Sequence, residues 1–175
     1  MNFAINSSIG CILFVLFLVS CDTNLEPTKP VKWTKENSAK LGETLLFEQE
    51  IDIKLYLKRR PDWNIQETGT GLRYWIYEEG QGETPLEGQT VSIDLEVRLL
   101  DDSLCYKSEA NDPYEFVVDK SDIESGIQEG IKYLNKGAKA KLIFPSHLGH
   151  GLVGDLDKIP PLQALVVDIH LKDIR

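Results

Sequence analysis

The sequence predicts an α+β domain: an antiparallel β-sheet wrapped on one short amphipathic helix, preceded by an N-terminal helical extension. Three observations carry that reading. Between Val91 and Leu99, five apolar residues alternate with four polar ones, the period-two signature of a half-buried strand. Ile123, Ile127, Ile131 and Leu134 recur at spacings of four, four and three, which puts all four on one helical face. From about Thr34 to Arg60, apolar residues again recur every fourth position, and Pro61 stops the pattern.

Taken in order, the chain is expected to open with an export signal. Cys11 to Val19 is a run of nine apolar residues, too short for the roughly 20 of a membrane-spanning helix and suited to a signal-peptide core. Leu18-Val19-Ser20-Cys21 follows and resembles the lipobox of bacterial lipoproteins, in which the cysteine is acylated and becomes the first residue. One departure is that Met1 to Gly10 carries no Lys or Arg. Residues 1–20 are therefore expected to be a signal peptide and Cys21 a lipid anchor. The protein is expected on a bacterial membrane, facing the periplasm or the cell surface. Residues 21–31, with Pro27 and Pro30, form the expected tether.

Residues 32–66 are the expected helical extension. Leu41 and Leu45, then Phe47, Ile51 and Leu55, and Ile53 and Leu57, make a broad apolar stripe that needs a partner, and the following domain is the expected one. Dimerisation through this helix is the other way to cover it. Lys58, Arg59 and Arg60 complement its C-terminal dipole. Gly42 weakens its middle by roughly 1 kcal/mol relative to alanine, the point where a break would fall.

Residues 67–175 form the main domain. Its expected strands run through Leu72 to Ile76, Val91 to Leu99, Tyr114 to Val118, Ala138 to Phe144 and Leu165 to Leu171. Asp122 and Glu124 suit the positive N-terminus of the helix that interrupts them. After loss of the signal roughly 155 residues remain, enough for one ordinary domain. An acylated Cys21 leaves Cys105 without a disulfide partner, so stability must come from packing. The net charge of −9 repels phosphate backbones and argues against nucleic acid as a partner.

Several chemistries fail on context. Gly149-His-Gly-Leu-Val-Gly154 matches the dinucleotide fingerprint, but a phosphate cradle needs a helix opening at the glycines. Here Asp155 to Pro161 continues as loop. His147, His150, Asp155 and Asp157 carry ligand atoms, yet His-x-x-His on a glycine-rich loop does not set two imidazoles on one face. Cys105 has no histidine near it in sequence, and it is expected to be a small buried apolar residue rather than a nucleophile. No cofactor and no metal are expected.

What remains is an apolar pocket built from aromatic and aliphatic residues around loops. Gly69-Thr-Gly-Leu-Arg-Tyr74, Gly88-Gln-Thr-Val91, Ser125-Gly-Ile-Gln-Glu-Gly130, Lys139-Ala-Lys-Leu142 and Ile159-Pro-Pro161 follow one another in order. Together, over about residues 68 to 175, they resemble an FKBP-type peptidyl-prolyl isomerase of the bacterial lipoprotein branch. The resemblance implies rotation about X-Pro bonds of unfolded or extended polypeptides. The barrier is about 18–20 kcal/mol because resonance keeps the amide planar. No nucleophile is needed, because a dry pocket favours the twisted amide.

Carried over by position, the resemblance gives Tyr114 as an aromatic wall, Ile123 as an aliphatic wall, Ile159 near the rim and Val167 at the back. Ile127 takes the floor, where a tryptophan or leucine is usual. His150 stands where a tyrosine hydroxyl usually donates to the substrate carbonyl, and an imidazole N–H can substitute. Leu95 replaces a frequent tyrosine, and Cys105-Tyr106 replaces a typical Phe-Asp, unless Tyr106 takes the phenylalanine's place one position along. Glu124 holds a place whose role lies mainly in its backbone N–H, and Lys158 replaces an apolar rim residue. Phe116 is a pocket candidate whose alternative is plain core packing. Two readings remain open: an isomerase that assists folding of exported proteins, and a catalytically weak or inactive module of the same fold that binds peptides or a partner.

Overall fold

The computed structural model describes residues 34–109 and 112–175. The expected signal peptide, the Cys21 anchor and the tether lie outside the described residues. Thr34–Arg175 forms one compact unit, and none of its helices is long and apolar enough to cross a membrane.

Helix α1 spans Lys35–Lys58. Thr34 caps it in extended conformation, its Oγ1 accepting from the Asn37 N–H at 3.2 Å, which satisfies one of the orphan donors of the first turn. The helix runs unbroken through Gly42. Its apolar stripe divides. Ile53 and Tyr56 are buried against Ile143, Ala164 and Val166, with Leu57 partly covered beside them. Phe47, at 65% exposed, and Ile51 and Leu55 stay on the surface. The expected packing on the following domain is thus carried by the second half of the helix alone. Arg60 secures that end by a bidentate pair with Asp102 at 2.8 and 2.9 Å while lying 3.5 Å from the Tyr56 ring centroid.

Seven antiparallel strands follow: β1 (Gln66–Glu67), β2 (Arg73–Glu78), β3 (Thr90–Leu99), β4 (Leu104–Lys107), β5 (Tyr114–Val117), β6 (Lys139–Phe144) and β7 (Leu165–Ile174). Their order is β1-β2-β6-β7-β3-β4, with β5 also on β3. Residues 66 and 67, at the expected edge of the extension, already pair with Tyr74 and Arg73. Strand β3 changes partner along its length. Thr90 to Ile93 face β5, and Glu96 to Arg98 face β4. The Leu95 N–H donates to Ser108 Oγ at 3.0 Å and its carbonyl accepts from the Ser108 N–H at 2.9 Å, so the gap between the two edge strands is held open at Leu95.

The inner face buries Val91, Ile93, Ala140, Leu142, Phe144, Val167, Ile169 and Leu171 in one core with Ile127 and Ile131. That is the expected sheet-on-helix layering, since alternate residues of each strand share a face. The outer face is covered at one end by α1 through Ile143 and Val166.

Helix α2 is Ser125–Ile131, shorter than the Ile123 to Leu134 periodicity implies. Ile123 precedes it. After Ile131 the chain tightens into turns in which Tyr133 bonds to Gly130 and Leu134 to Ile131, so Leu134 keeps its buried face without helical geometry. Gly126 and Gly130 bring the helix close to β6: a Cβ on Gly126 would lie 2.6 Å from the Phe144 ring. Glu124 is the N-cap but makes no side-chain capping bond.

Candidate active site

A cavity of about 490 Å³ opens where β3 changes partner, lined by Leu95, Val97, Tyr106, Tyr114, Ile123 and Ile127 together with Lys107, Ser108, Glu109, Asp112, Pro113, Glu115 and Glu124. Its size is that of a small-ligand site. Tyr114 starts β5, opposite Ile93, and leaves its ring 45% exposed. Phe116 points to the same side of the strand one pleat further on, but it is buried in the core with ring centroids 6.2 Å apart. Ile127, on α2, is 2% exposed and forms the floor from beneath.

The turn that delivers Ile123 is built on a residue the sequence did not single out. Gln128 is buried, accepts from the Asp119 N–H at 2.9 Å and donates to the Ser121 carbonyl at 3.0 Å. The Ser121 hydroxyl in turn accepts from the Val117 N–H at 2.9 Å. One amide side chain therefore fixes the whole connection from β5 to α2. Its signal was present in part: Gln128 stands three residues before Ile131, beside the apolar stripe, and a polar residue placed there must find buried partners.

A second cleft joins the first, lined by Tyr114, Asp122, Ile123, Glu124, Ser125, Gly149 and His150. His150 faces this cleft rather than the main cavity, and its Nε2 lies 2.9 Å from Glu124 Oε1. The imidazole is thus held at the pocket's edge by the residue that precedes α2.

Ile159 and Val167 are placed differently from the expected rim and back wall. Both are buried in the core, at 2% and 0% exposed, and neither reaches the cavity surface. The reason is steric, since the inward positions of β7 and the Ile-Pro-Pro turn are filled by the sheet's own packing. Cys105 is buried, as its expected role requires, with Sγ 3.7 Å from the Lys158 carbonyl. Burial, together with the charges of Asp155 and Asp101, pushes its thiol pKa up, which makes it a poor nucleophile.

Of the Cys105-Tyr106 pair, it is Tyr106 that reaches the cavity. Its ring lines the cavity and its hydroxyl donates to Asp155 across the sheet's edge. Asp155 Oδ1 accepts from the N–H groups of Asp157 and Ile159 at 2.9 and 2.7 Å. Burial pushes the Asp155 carboxyl up, but these donors and the Tyr106 hydroxyl outweigh it and hold its pKa at about 2. Lys158 sits with Nζ 4.8 Å from the Tyr106 ring centroid.

Of the four loop residues considered as metal ligands, Asp155 and Asp157 both approach the Tyr106 hydroxyl while the two histidines turn to other partners, and no three such residues cluster among the described residues. His147 Nε2 meets the Thr70 carbonyl at 3.1 Å, His150 meets Glu124, and Asp155 meets Tyr106. After Gly149 the chain continues as turns and bends up to β7, so the glycine motif opens no helix.

What this arrangement offers is an apolar surface with two aromatic rings and a polar cleft along one side. Among the described residues it contains no arranged nucleophile. Such a surface can shelter a proline ring while the adjoining amide twists out of resonance.

The sequence matches the family described as FKBP-type peptidyl-prolyl cis-trans isomerase over residues 81–172. Among curated relatives, the FKBP-type peptidyl-prolyl cis-trans isomerase FkpA of Escherichia coli K12 is 34% identical over 112 residues, 63% of this chain and 40% of the relative. FkpA of Buchnera aphidicola from Schizaphis graminum is 34% identical over 146 residues, 80% of this chain and 56% of the relative. The chain thus spans about half the length of these relatives or less. The crystal structure of E. coli FkpA superposes with a TM-score of 0.65 at 29% identity, covering 79% of this chain and 64% of that one. The N-terminal domain of FKBP42 from Arabidopsis thaliana, 18% identical with a TM-score of 0.61, shares the fold. A match across more than half of the sequence, on the sheet and helix described above, means that the chain belongs to the FKBP-type peptidyl-prolyl cis-trans isomerase family.

Proposed function

We propose that the chain is a peptidyl-prolyl cis-trans isomerase that assists the folding of exported, proline-containing polypeptides at a membrane surface. The observation that carries this reading is the cavity at the β3 partner change, with Tyr106, Tyr114, Ile123 and Ile127 around it. Tyr114 and Ile123 are the walls that flank the proline ring and Ile127 is the floor beneath it. His150, across the adjoining cleft, is the donor to a substrate carbonyl once it exchanges its contact with Glu124. Lowering the rotational barrier by 1.36 kcal/mol gives a tenfold rate, within reach of one well-placed hydrogen bond plus desolvation of the amide.

Acylation at Cys21 holds the domain at the membrane, and the Phe47, Ile51 and Leu55 row of α1, exposed in this structure, is the surface for dimerisation. Exported chains carry prolines that isomerise in tens to hundreds of seconds unaided, so a tethered catalyst meets them while they are still unfolded.

One observation favours the second reading, a peptide-binding module with little turnover. Two of the side-chain donors near the pocket are already engaged by carboxylates, Tyr106 by Asp155 and His150 by Glu124. The test is two-dimensional NMR exchange on a Leu-Pro tetrapeptide with the full chain in detergent, beside His150→Phe, His150→Tyr and Tyr114→Ala. The isomerase reading expects accelerated exchange that drops roughly tenfold in His150→Phe and returns in His150→Tyr. Binding without acceleration establishes the module instead. Cys21→Ala is expected to release the protein from the membrane fraction, and retention there would refute the anchor.

A further inference from the structure

We propose that Tyr106 is a positioning residue, whose hydroxyl latches the segment from Gly154 to Ile159 onto β4 and so keeps the cavity in its substrate-ready shape. The inference rests on the peptide-handling function proposed above and names a residue through which this chain achieves it.

The segment is closed on itself around Asp155. One carboxylate oxygen accepts two backbone N–H groups, those of Asp157 and Ile159, while the Asp155 N–H donates to the Ile159 carbonyl at 3.1 Å. The closure is tight enough to exclude a side chain at Gly154, where φ is +76° and a Cβ would lie 2.2 Å from the Ile159 carbonyl oxygen. Leu156 is forced into a left-handed conformation, φ 64°, with its side chain 87% exposed. A bulky residue holds that conformation only where its surroundings impose it.

The other carboxylate oxygen reaches outward, to a different part of the fold. It accepts from the Tyr106 hydroxyl, which also lies 3.4 Å from Asp157 Oδ2. Lys158 covers the Tyr106 ring, and its carbonyl meets Cys105 Sγ at 3.7 Å. Three residues of the segment therefore grip two consecutive residues of β4, of which Tyr106 is the one whose side chain lines the cavity. The next residue, Ile159, is buried in the core cluster that contains Ile127, the floor.

The hydroxyl is committed across the whole ordinary pH range. The Asp155 hydrogen bond, with burial and the nearby acidic charges adding to it, pushes the phenol pKa up to about 12, so its proton stays on the bridge. A ring acting only as a wall needs no hydroxyl, and phenylalanine would serve. A hydroxyl meant for substrate would not be spent on a carboxylate that already has two backbone donors. The latch explains both the ring and the bond, because a cavity whose edge is already ordered does not have to order it when peptide binds.

Tyr106→Phe separates these roles, since it keeps the ring and removes the latch. With the full chain in detergent and a Leu-Pro tetrapeptide, the latch predicts that KM and peptide Kd rise about three- to tenfold while kcat changes less than about twofold, the pattern of lost uniform binding. Amide exchange at Asp157 and Ile159 should quicken together. Asp155→Ala, which also removes the two backbone bonds, should lose at least as much, and the double variant Tyr106→Phe/Asp155→Ala no more than Asp155→Ala alone, as for partners in one contact. A Tyr106→Phe protein with wild-type KM, Kd and amide exchange overturns the latch and leaves the isomerase reading standing. Wild type that binds the peptide without accelerating exchange sinks the isomerase reading, and the latch is then decided by Kd. Failure of wild type to bind the peptide overturns both.

Discussion

Removing the acidic partners of Arg73 should cost more stability than removing Arg73 itself. The guanidinium is 3% exposed and makes three short bonds, 2.6 and 2.7 Å to Glu50 on α1 and 2.8 Å to Glu67 on β1. Only the Gly71 carbonyl, at 3.3 Å, is left to it when both acids are gone. A buried cation left nearly alone costs about 3–5 kcal/mol, which is the expected loss in Glu50→Ala/Glu67→Ala. In Arg73→Met the orphaned carboxylates sit on side chains 32% and 57% exposed and can hydrate, so the loss should be about 1–2 kcal/mol, because partly solvated pairs are worth little. Urea unfolding followed by far-UV circular dichroism reads both. An Arg73→Met loss equal to or above that of the double alanine variant refutes the reasoning. The pH dependence adds a second check. Burial pushes the Glu50 carboxyl up, but the bonds and charges of Arg73 and Lys54 outweigh it and set its pKa below the ordinary 4.5. A depressed acid stabilises above its unfolded value and loses that contribution as pH falls through the folded one. The gap between wild type and the double variant should therefore be full at pH 7 and shrink below about 4.5.

Other outcomes follow from single contacts. Ile53→Ala, at a position 0% exposed against Ile143 and Val166, should cost about 2–5 kcal/mol in the same urea experiment. Two glycines should respond with opposite signs. Gly126→Ala forces a methyl 2.6 Å from the Phe144 ring and should lose about 1–3 kcal/mol, while Gly42→Ala, with nothing within 4 Å, should gain up to about 1 kcal/mol. Tyr114→Ala removes a half-exposed ring and should change stability by about 0.5 kcal/mol or less while lowering kcat/KM in the proline-exchange assay. A large stability loss there would make Tyr114 a core residue instead.

The sheet was legible where periodicity alone decides. Val91 to Leu99 and Leu165 to Leu171 alternate because one side of each strand meets the core, and β3 and β7 run through those residues. The ends of α2 were not legible. Apolar spacing marks which residues are buried, and Ile123 and Leu134 are on that side, but the turns around them are set by Gln128, Ser121 and tightened hydrogen bonds. For α1 the stripe could be seen but not its division, since which row docks depends on Ile143 and Val166 some ninety residues or more away. Leu95, Tyr106, Tyr114, Ile123, Glu124 and Ile127 do meet around one cavity. Ile159, Val167, Cys105 and Phe116 pack behind it, because positional resemblance cannot tell a wall from the layer supporting it. The Tyr106 to Asp155 bond spans 49 residues and has no local signature.

The docking end of α1 also decides what the protein's own light emission can report. Trp63 stacks on Trp75 with ring centroids 5.3 Å apart and meets Tyr56 edge-on at 6.1 Å. The cavity, by contrast, is lined by tyrosines and no indole. Two of the chain's three tryptophans are therefore wired to the seat of the helix on the outer face of the sheet. Intrinsic fluorescence should follow the helix lifting from its seat and stay nearly silent when a peptide enters the pocket, so an optical titration of ligand needs an indole placed at Ile127 or carried by the peptide.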